Sequence, residues 1–371
     1  MFRFLHLADL HLSSPLAAFS SGVAERWRGA QFAALEELLS RAVGAGASLL
    51  LFSGDVFDTP RAPREDVARF YDILARAGVP AVVAPGNHDF YTPEGTWHAA
   101  PPPENLCLFT ERELGFFDFP EPGITVYGFA FRAACAKAPA LGVAADRPDG
   151  RVSVLLAHSD ITAPLSPYAP LPTGALAASG FSYIALGHIH NPPPPARFGR
   201  TLAAYGGFFG GRGFDELGAG HALFCTARDD GTVEAEPLET TAPRFLAPML
   251  DCTGAADAAE VRERVAEYLS SANIPSLSAV RLRLVGEVEA DCTPRVGELL
   301  PQGDRFALFE CTDETLPALS DTALAGDVSL RGAFYRALVP LLQSGDERVR
   351  RTAAKALRAG LAALDGREAE L

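Results

Sequence analysis

The sequence predicts an α/β fold: a mostly parallel sheet covered by helices, then a small α+β module and a helical tail. Three observations predict it. Short apolar runs alternate with helix-period segments through the first half of the 371 residues. Each apolar run stops at a cluster of polar residues, where ligand sites of such sheets lie. The pattern then changes around Thr241-Ala242-Pro243, which reads as a short linker.

Taken in order, residues 2–8 read as a strand ending at Asp9. Residues 24–43 read as a helix, with Trp27, Leu35, Leu38, Leu39 and Ala42 at helical spacing. Residues 48–52 form a second strand running into Ser53-Gly54-Asp55. Arg64–Ala77 is a helix with Val67, Phe70, Tyr71 and Leu74 on one face. Residues 79–84 make a third strand before Pro85-Gly86-Asn87-His88-Asp89. Residues 152–157 and 183–186 are strands ending at His158 and at Gly187-His188. Further strands are expected over 200–240, with Asp229-Asp230-Gly231 as a hairpin turn.

Residues 1–243 therefore form the main domain. Residues 246–315 read as strand, helix (258–270), strand (Ala279–Val285), helix and strand (305–310), a small α+β domain. Residues 328–371 form C-terminal helices. There Arg348, Arg350, Arg351, Lys355 and Arg358 surround an apolar stripe of Val349, Ala353, Leu357, Leu361 and Leu364. Two readings stay open for the stripe: a cover for the protein's own core, or a docking face for a partner helix.

Composition narrows the function. Hydrophobic residues make up 48% of the chain, enough for a sizeable core. No apolar run approaches the ~20 residues of a membrane helix. Met1-Phe2-Arg3-Phe4-Leu5-His6 runs directly into Asp9, leaving no room for a signal peptide, so a soluble cytoplasmic protein is expected. The six cysteines are scattered with no C-x-x-C pair, which argues for free thiols rather than a zinc knuckle or redox pair. A net charge of −14 argues against a broad electrostatic grip on nucleic acid, so any DNA contact is local or supplied by a partner.

Five polar signatures follow one another: Asp9-x-His11, Gly54-Asp55-x-x-Asp58, Gly86-Asn87-His88-Asp89, His158, and Gly187-His188-x-His190. Five of the eight histidines in the chain fall inside them. Any one alone reads as structural. Together, each following a strand, they point to metal ligation. Phosphodiester hydrolysis needs a strong nucleophile at neutral pH and neutralised phosphoryl oxygens, and two divalent ions roughly 3.5–4 Å apart supply both. Mixed imidazole and carboxylate donors suit Mn, Fe or Zn better than Mg or Ca.

The five motifs resemble the calcineurin-like metallophosphoesterase superfamily. The opening Leu7-Ala8-Asp9-Leu10-His11-Leu12 is similar to its DNA-repair exonuclease branch, the SbcD- and YhaO-type proteins. The resemblance extends through Gly211-Arg212-Gly213-Phe214-Asp215-Glu216 and the small module. It implies a sandwich of mixed β-sheets flanked by helices. It also implies two metals, Mn foremost: one held by Asp9, His11 and His190, a second by Asn87, His158 and His188, with Asp55 bridging. His88 is implied as the catalytic imidazole and Asp89 as the carboxylate that orients it. The small module is implied to cap the DNA path, and the tail to dock on an SbcC-type coiled-coil ATPase. Relatives in this branch often pair through their main domain, so the resemblance leaves a homodimer open as an expectation.

One position departs from the archaeal and eukaryotic pattern: Asp58 stands where those relatives carry histidine. It is expected to bond local backbone amides. Candidates for gripping DNA are Arg61, Arg64, Arg132, Arg197, Arg200 and Arg212, each also readable as an ordinary surface arginine. Phe90, Tyr91 and Trp97 are read as loop packing rather than base stacking, and His6, His98 and His221 as structural. The leading function is a Mn-dependent nuclease, 3′–5′ exonuclease and single-strand endonuclease, in a bacterial DNA-repair complex. A phosphatase or small-substrate phosphodiesterase on the same scaffold competes with it, as does a non-catalytic scaffold for an ATPase.

Overall fold

Strand β1 (Phe2–Leu7) turns Leu5 and Leu7 to one side and Phe4 to the other, and both sides are buried. The same alternation recurs in β2 (Ala47–Phe52), where Leu50 and Phe52 oppose Leu49 and Leu51. Strands covered on both faces must have a layer above and a layer below. A computed structural model of the chain, describing residues 1–138, 151–289, 292–299, 301, 305–318 and 322–364, shows what those layers are.

Helices α1 (Ser21–Gly44) and α2 (Arg64–Ala77) cover the outer face through Phe32, Leu35, Leu38, Phe70 and Leu74. The inner face meets a second sheet. After β3 (Ala81–Val83) and β4 (Leu106–Leu108) the chain enters β5 (Gly115–Phe119), β6 (Ile124–Gly128) and β7 (Val152–His158). Helix α3 (Thr173–Ser179) leads to β8 (Tyr183–Gly187), followed by β9 (Ala196–Phe198) and β10 (Thr201–Tyr205). Strands β11 (His221–Ala227) and β12 (Val233–Glu239) return to the first sheet. The orders are β12-β11-β1-β2-β3-β4 and β5-β6-β7-β8-β10-β9.

Strands β1, β2 and β3 are mutually parallel, as are β7 and β8. Val154 and Leu156 of β7 join Phe4, Leu51 and Val82 in the core between the sheets, while Leu155 and Ala157 pack outward with α3. The arrangement is α/β/β/α. A single sheet was the bottom-up expectation from strand alternation; the two-sheet sandwich was implied by the resemblance.

The chain divides into two compact units, Met1–Arg244 and Phe245–Leu371. In the second unit β13 (Phe245–Leu246) and β14 (Met249–Asp251) lie along one edge of β15 (Ala279–Val285). Helix α4 (Ala258–Ser271), capped by the Asp257 carboxylate on the amides of Ala259 and Glu260, packs Val261 and Val265 against Leu282 and Leu284. After the short β16 (Glu287–Val288), β17 (Leu308–Asp313) takes the other edge of β15, and β18 (Leu316–Pro317) pairs with β16. Where a second helix was expected in this module, the described residues form a 3₁₀ turn, Val296–Leu299, entered from Pro294.

Helices α5 (Thr322–Gly326), α6 (Leu330–Leu342) and α7 (Glu347–Leu364) close the unit. Ala353, Leu357 and Leu361 of the basic tail are buried against Tyr335 and Leu342. Three of the five stripe residues thus cover the unit's own core, while Leu364 stays 40% exposed. Arg358, 7% exposed, bonds Thr315 and pairs with Asp313 rather than facing outward. No helix among the described residues is long and apolar enough to cross a membrane.

Candidate metal centre

The polar motifs lie at the carboxyl ends of strands paired in parallel within each sheet: Asp9 after β1, Asp55 after β2 and Asn87 after β3 in one, His158 at the end of β7 and His188 after β8 in the other. The first two loops are zipped together by backbone bonds from Asp9 N to Gly54 O (3.2 Å) and His11 N to Asp55 O (2.9 Å). The chain bends sharply here. Asp9 (φ 49°), His11 (φ 45°), Asp55 (φ 49°) and His188 (φ 101°) all have positive φ, a conformation costly for residues with a Cβ and concentrated at functional sites. Two glycines make room. A Cβ on Gly54 (φ 87°) would strike the His158 ring, and one on Gly86 would strike the Asp55 carboxylate.

Hydrogen bonds fix the proton on each ring. His11 Nδ1 lies 2.8 Å from Asp58 Oδ1, and His190 Nδ1 lies 2.6 Å from Glu216 Oε1. His158 Nδ1 lies 3.0 Å from the Ser53 carbonyl. These oxygens only accept, so each Nδ1 carries the hydrogen and each Nε2 presents a lone pair. Burial holds three of the imidazoles neutral: it lowers His11 and His188 to about 4 and His158 to about 3.

The bare nitrogens then face other acceptors. His11 Nε2 and His190 Nε2 are 3.2 Å apart, with Asp9 Oδ1 3.9 Å from the latter. His158 Nε2 is 2.8 Å from Asn87 Oδ1. Asp55 Oδ1 is taken by the His88 amide (2.9 Å), which leaves Oδ2 between the groups, 3.7 Å from His11 Nε2 and 3.4 Å from His158 Nε2. His188 donates its backbone N–H to both Asp9 oxygens (3.1 and 3.0 Å), and its ring lies 5.2 Å from that of His158.

Two clusters of electron-pair donors thus converge with Asp55 between them. In Asp9–His11–His190 and in Asp9–Asp55–His158, one ligating atom per residue lies within 4.8 Å of the others. Buried carboxylates add to the excess: burial, then the Asp55 charge, raises Asp9 well above the ordinary range. Acceptors facing acceptors, with buried acids repelling one another, is an arrangement that a pair of divalent cations relieves. The donor set fits metal.

The residues around the clusters differ from expectation in three ways. Asp89 does not orient His88. Its Oδ1 accepts from Gly86 N (2.7 Å) and its Oδ2 from Val56 N (2.8 Å) and Phe57 N (3.2 Å), tying the second and third motif loops together. Burial and the Asp55 charge push Asp89 up to about 8, against those three amides. Asp58, expected to bond local amides, instead bonds the His11 ring and lies 3.4 Å from His88 Nδ1. Burial alone would raise Asp58; the His11 hydrogen bond and the Arg212 charge bring it below the ordinary range.

Arg212, a candidate for gripping DNA, is spent internally on Asp58 (3.1 Å) and Glu216 (2.8 Å). Glu216 itself went unassigned in the sequence. Burial would raise it, yet hydrogen bonds from His190 and Arg212 hold it at about 2. Its one sequence signal was membership of the Gly-Arg-Gly-Phe-Asp-Glu segment.

The other readings divide simply. Trp97 is buried and its Nε1 bonds Asp89 O (2.6 Å), so it packs the loop. Tyr91 sits under Arg132, whose guanidinium carbon is 5.0 Å from the ring centre and whose NH1 bonds Thr110 O. His6 is buried between Tyr183 Oη (2.9 Å) and Ser53 Oγ (2.7 Å). Arg197 and Arg200 bond the carbonyls of Val233 and Asp230. Arg61 and Arg64 are exposed.

Comparison with known proteins bears on the same stretch. The chain is 28% identical over 198 residues to the uncharacterized metallophosphoesterase YhaO of Bacillus subtilis, covering 50% of this chain and 48% of that one. It is 29% identical over 216 residues to the DNA double-strand break repair protein Mre11 of Aeropyrum pernix, covering 51% and 49%. It is 28% identical over 202 residues to the Mre11 of Saccharolobus solfataricus, covering 51% and 50%. The chain spans about half the length of these curated relatives. The family model for calcineurin-like phosphoesterases matches residues 2–192, a span holding every motif from Asp9 to His190. By that match, and with its motifs gathered at the strand ends of an α/β/β/α sandwich, the chain belongs to the calcineurin-like phosphoesterase family.

Proposed function

We propose that this chain is a metal-dependent phosphodiesterase acting on DNA, the nuclease subunit of a bacterial DNA-repair complex. One observation carries the hydrolytic part: two clusters of imidazole, carboxylate and amide donors share Asp55 at the strand ends. Asp9, His11 and His190 would hold one divalent ion, and Asn87, His158 and His188 the other. Mn is the first choice for such mixed donors, with Fe or Zn as alternatives. Bound divalent ions supply a readily deprotonated water and neutralise charge on the phosphoryl oxygens.

The protein's own contribution is placement. Asp58, Glu216 and the Ser53 carbonyl fix which nitrogen of His11, His190 and His158 faces the centre. His88 stands apart, its side chain 42% exposed and its ring 4.9 Å from that of His11. An open imidazole beside the centre suits proton delivery to a leaving oxygen. DNA as substrate is supported by the similarity to two Mre11 proteins. Exposed Arg61 and Arg64 beside the second motif are the phosphate contacts we favour.

We propose further that the activity is 3′–5′ exonucleolytic with single-strand endonuclease action, and that the partner is an SbcC-type coiled-coil ATPase. Purified chain with Mn is to be offered labelled single-stranded DNA, 3′-recessed duplex, a cyclic nucleotide and a phosphopeptide. Cleavage of the DNA substrates is expected. Turnover of only the last two would replace this reading with a small-substrate phosphodiesterase or phosphatase.

A further inference from the structure

Resting on the cation reading above, we propose that Arg212 is a positioning residue: it ties Asp58 and Glu216 into one brace, which aims the Nε2 atoms of His11 and His190 at a common cation. The four side chains around it come from four separate loops. Arg212 NH1 donates to Asp58 Oδ1 (3.1 Å), while its Nε (3.2 Å) and NH2 (2.8 Å) both donate to Glu216 Oε1. Its backbone N–H takes the other Glu216 oxygen (2.9 Å). Those same carboxylate atoms, Asp58 Oδ1 and Glu216 Oε1, receive the Nδ1–H of His11 (2.8 Å) and His190 (2.6 Å). Arg212 NH2 is also 3.1 Å from His190 Nδ1, but that nitrogen's proton is given to Glu216, so the guanidinium serves the carboxylate and not the ring.

One guanidinium therefore sets the tautomer and tilt of two imidazoles whose bare nitrogens end 3.2 Å apart. A planar fork with donors on two edges does this; a lysine ammonium, a point charge on a flexible stem, does not hold two carboxylates in fixed directions. Among the described residues the other cluster has no such brace. His158 is aligned by the uncharged Ser53 carbonyl (3.0 Å), and the His188 ring lies against Tyr168 at 4.5 Å between centres. Arg212 is thus specific to the position shared by His11 and His190.

The sign of the effect separates this role from simple electrostatics. A positive charge near a cation site repels the cation, so if charge were all that mattered, Arg212→Met would tighten binding and Arg212→Lys would leave it unchanged. As a brace, its loss weakens binding in both variants. Mn titration followed by electron paramagnetic resonance, on the full chain, is expected to show one of two ions bound about 10–100-fold more weakly in both variants, the other little changed. Metal-free melting curves monitor folding. Unchanged or tighter binding, or equal weakening at both positions, would overturn the proposal.

A measurement on the unmutated, metal-free chain guards against variants that misfold. Nitrogen NMR of His11 and His190 is expected to show hydrogen on both Nδ1 atoms, facing Asp58 and Glu216; an Nδ1 without hydrogen overturns the brace. Failure of the unmutated chain to take up any divalent ion would sink the cation reading instead, and the nitrogen spectrum would still decide the brace.

Discussion

Replacing Asp89 separates two roles that are easily confused, orienting a neighbouring imidazole and holding two loops together. The carboxylate is fully buried and accepts from three backbone amides, Gly86, Val56 and Phe57. In Asp89→Ala all three lose their partner. At about 1–3 kcal/mol for each buried donor left unsatisfied, the ceiling is roughly 3–9 kcal/mol. Relief of repulsion from Asp55 and entry of water offset part of this, so a loss of about 3–5 kcal/mol is expected, a large share of the roughly 5–15 kcal/mol that stabilises a native domain. Asp89→Asn keeps one acceptor oxygen and turns an NH₂ toward the remaining donors, so about 1–3 kcal/mol is expected there.

Urea unfolding in the presence of a chelator measures both variants without the contribution of bound ions. Tryptophan fluorescence is the probe: of the two tryptophans in the chain, Trp97 bonds the Asp89 carbonyl directly. The reasoning fails if Asp89→Asn keeps native stability while its rate drops a hundredfold. That outcome would return to Asp89 the orienting task that the structure removes from it.

Other perturbations test other parts. His6 takes a proton near pH 6.5 when unfolded but only near 3 when buried. The unfolded state therefore binds more protons across that window, and stability is full above pH 6.5 and falls as pH drops toward 3, by about 1.4 kcal/mol per unit for this group. A chelated His6→Gln variant should show a correspondingly shallower melting-temperature profile over that window; an unchanged slope would contradict the assignment. His88→Ala is expected to slow DNA cleavage about 10²–10⁴-fold with both ions still present by elemental analysis, whereas Asp55→Ala should lose at least one of them. Full activity in either variant would refute the roles given. Leu357→Ala, at a fully buried position of α7, is expected to cost about 2–5 kcal/mol in the second unit, and truncation after residue 345 to expose that unit to limited proteolysis. A native digestion pattern would reopen the docking reading of the stripe.

The candidate site was readable in the sequence because its motifs are written locally. Asp9-x-His11, Gly86-Asn87-His88 and Gly187-His188-x-His190 each occupy a few consecutive residues after an apolar run, and strand ends are where such runs stop. The supports were harder to read because they are written across distance. Asp58 reaches His11 over 47 residues, and Arg212 reaches Asp58 over 154. Nothing in either neighbourhood announces the pairing. The second sheet was hidden from periodicity for another reason: in β7 all seven residues are buried, so no polar alternation marks which face meets which layer. The helix expected before β17 shows the converse failure: among the described residues there, Val296–Leu299 make a single tight turn, with Gly297, a poor helix former, inside it.

The donors come from both layers of the sandwich. Asp9, Asp55 and Asn87 follow strands of one sheet, while His158, His188 and His190 follow strands of the other, and each cluster mixes the two. Ions seated there would clasp the sheets like rivets through two plates. Divalent ion concentration then becomes a variable of folding as well as of turnover, worth about 2.7 kcal/mol for each position at a hundredfold excess over its dissociation constant. Chelation should loosen the seam at this end first, and substitutions deep between the sheets, far from any reacting atom, should register as weakened metal retention.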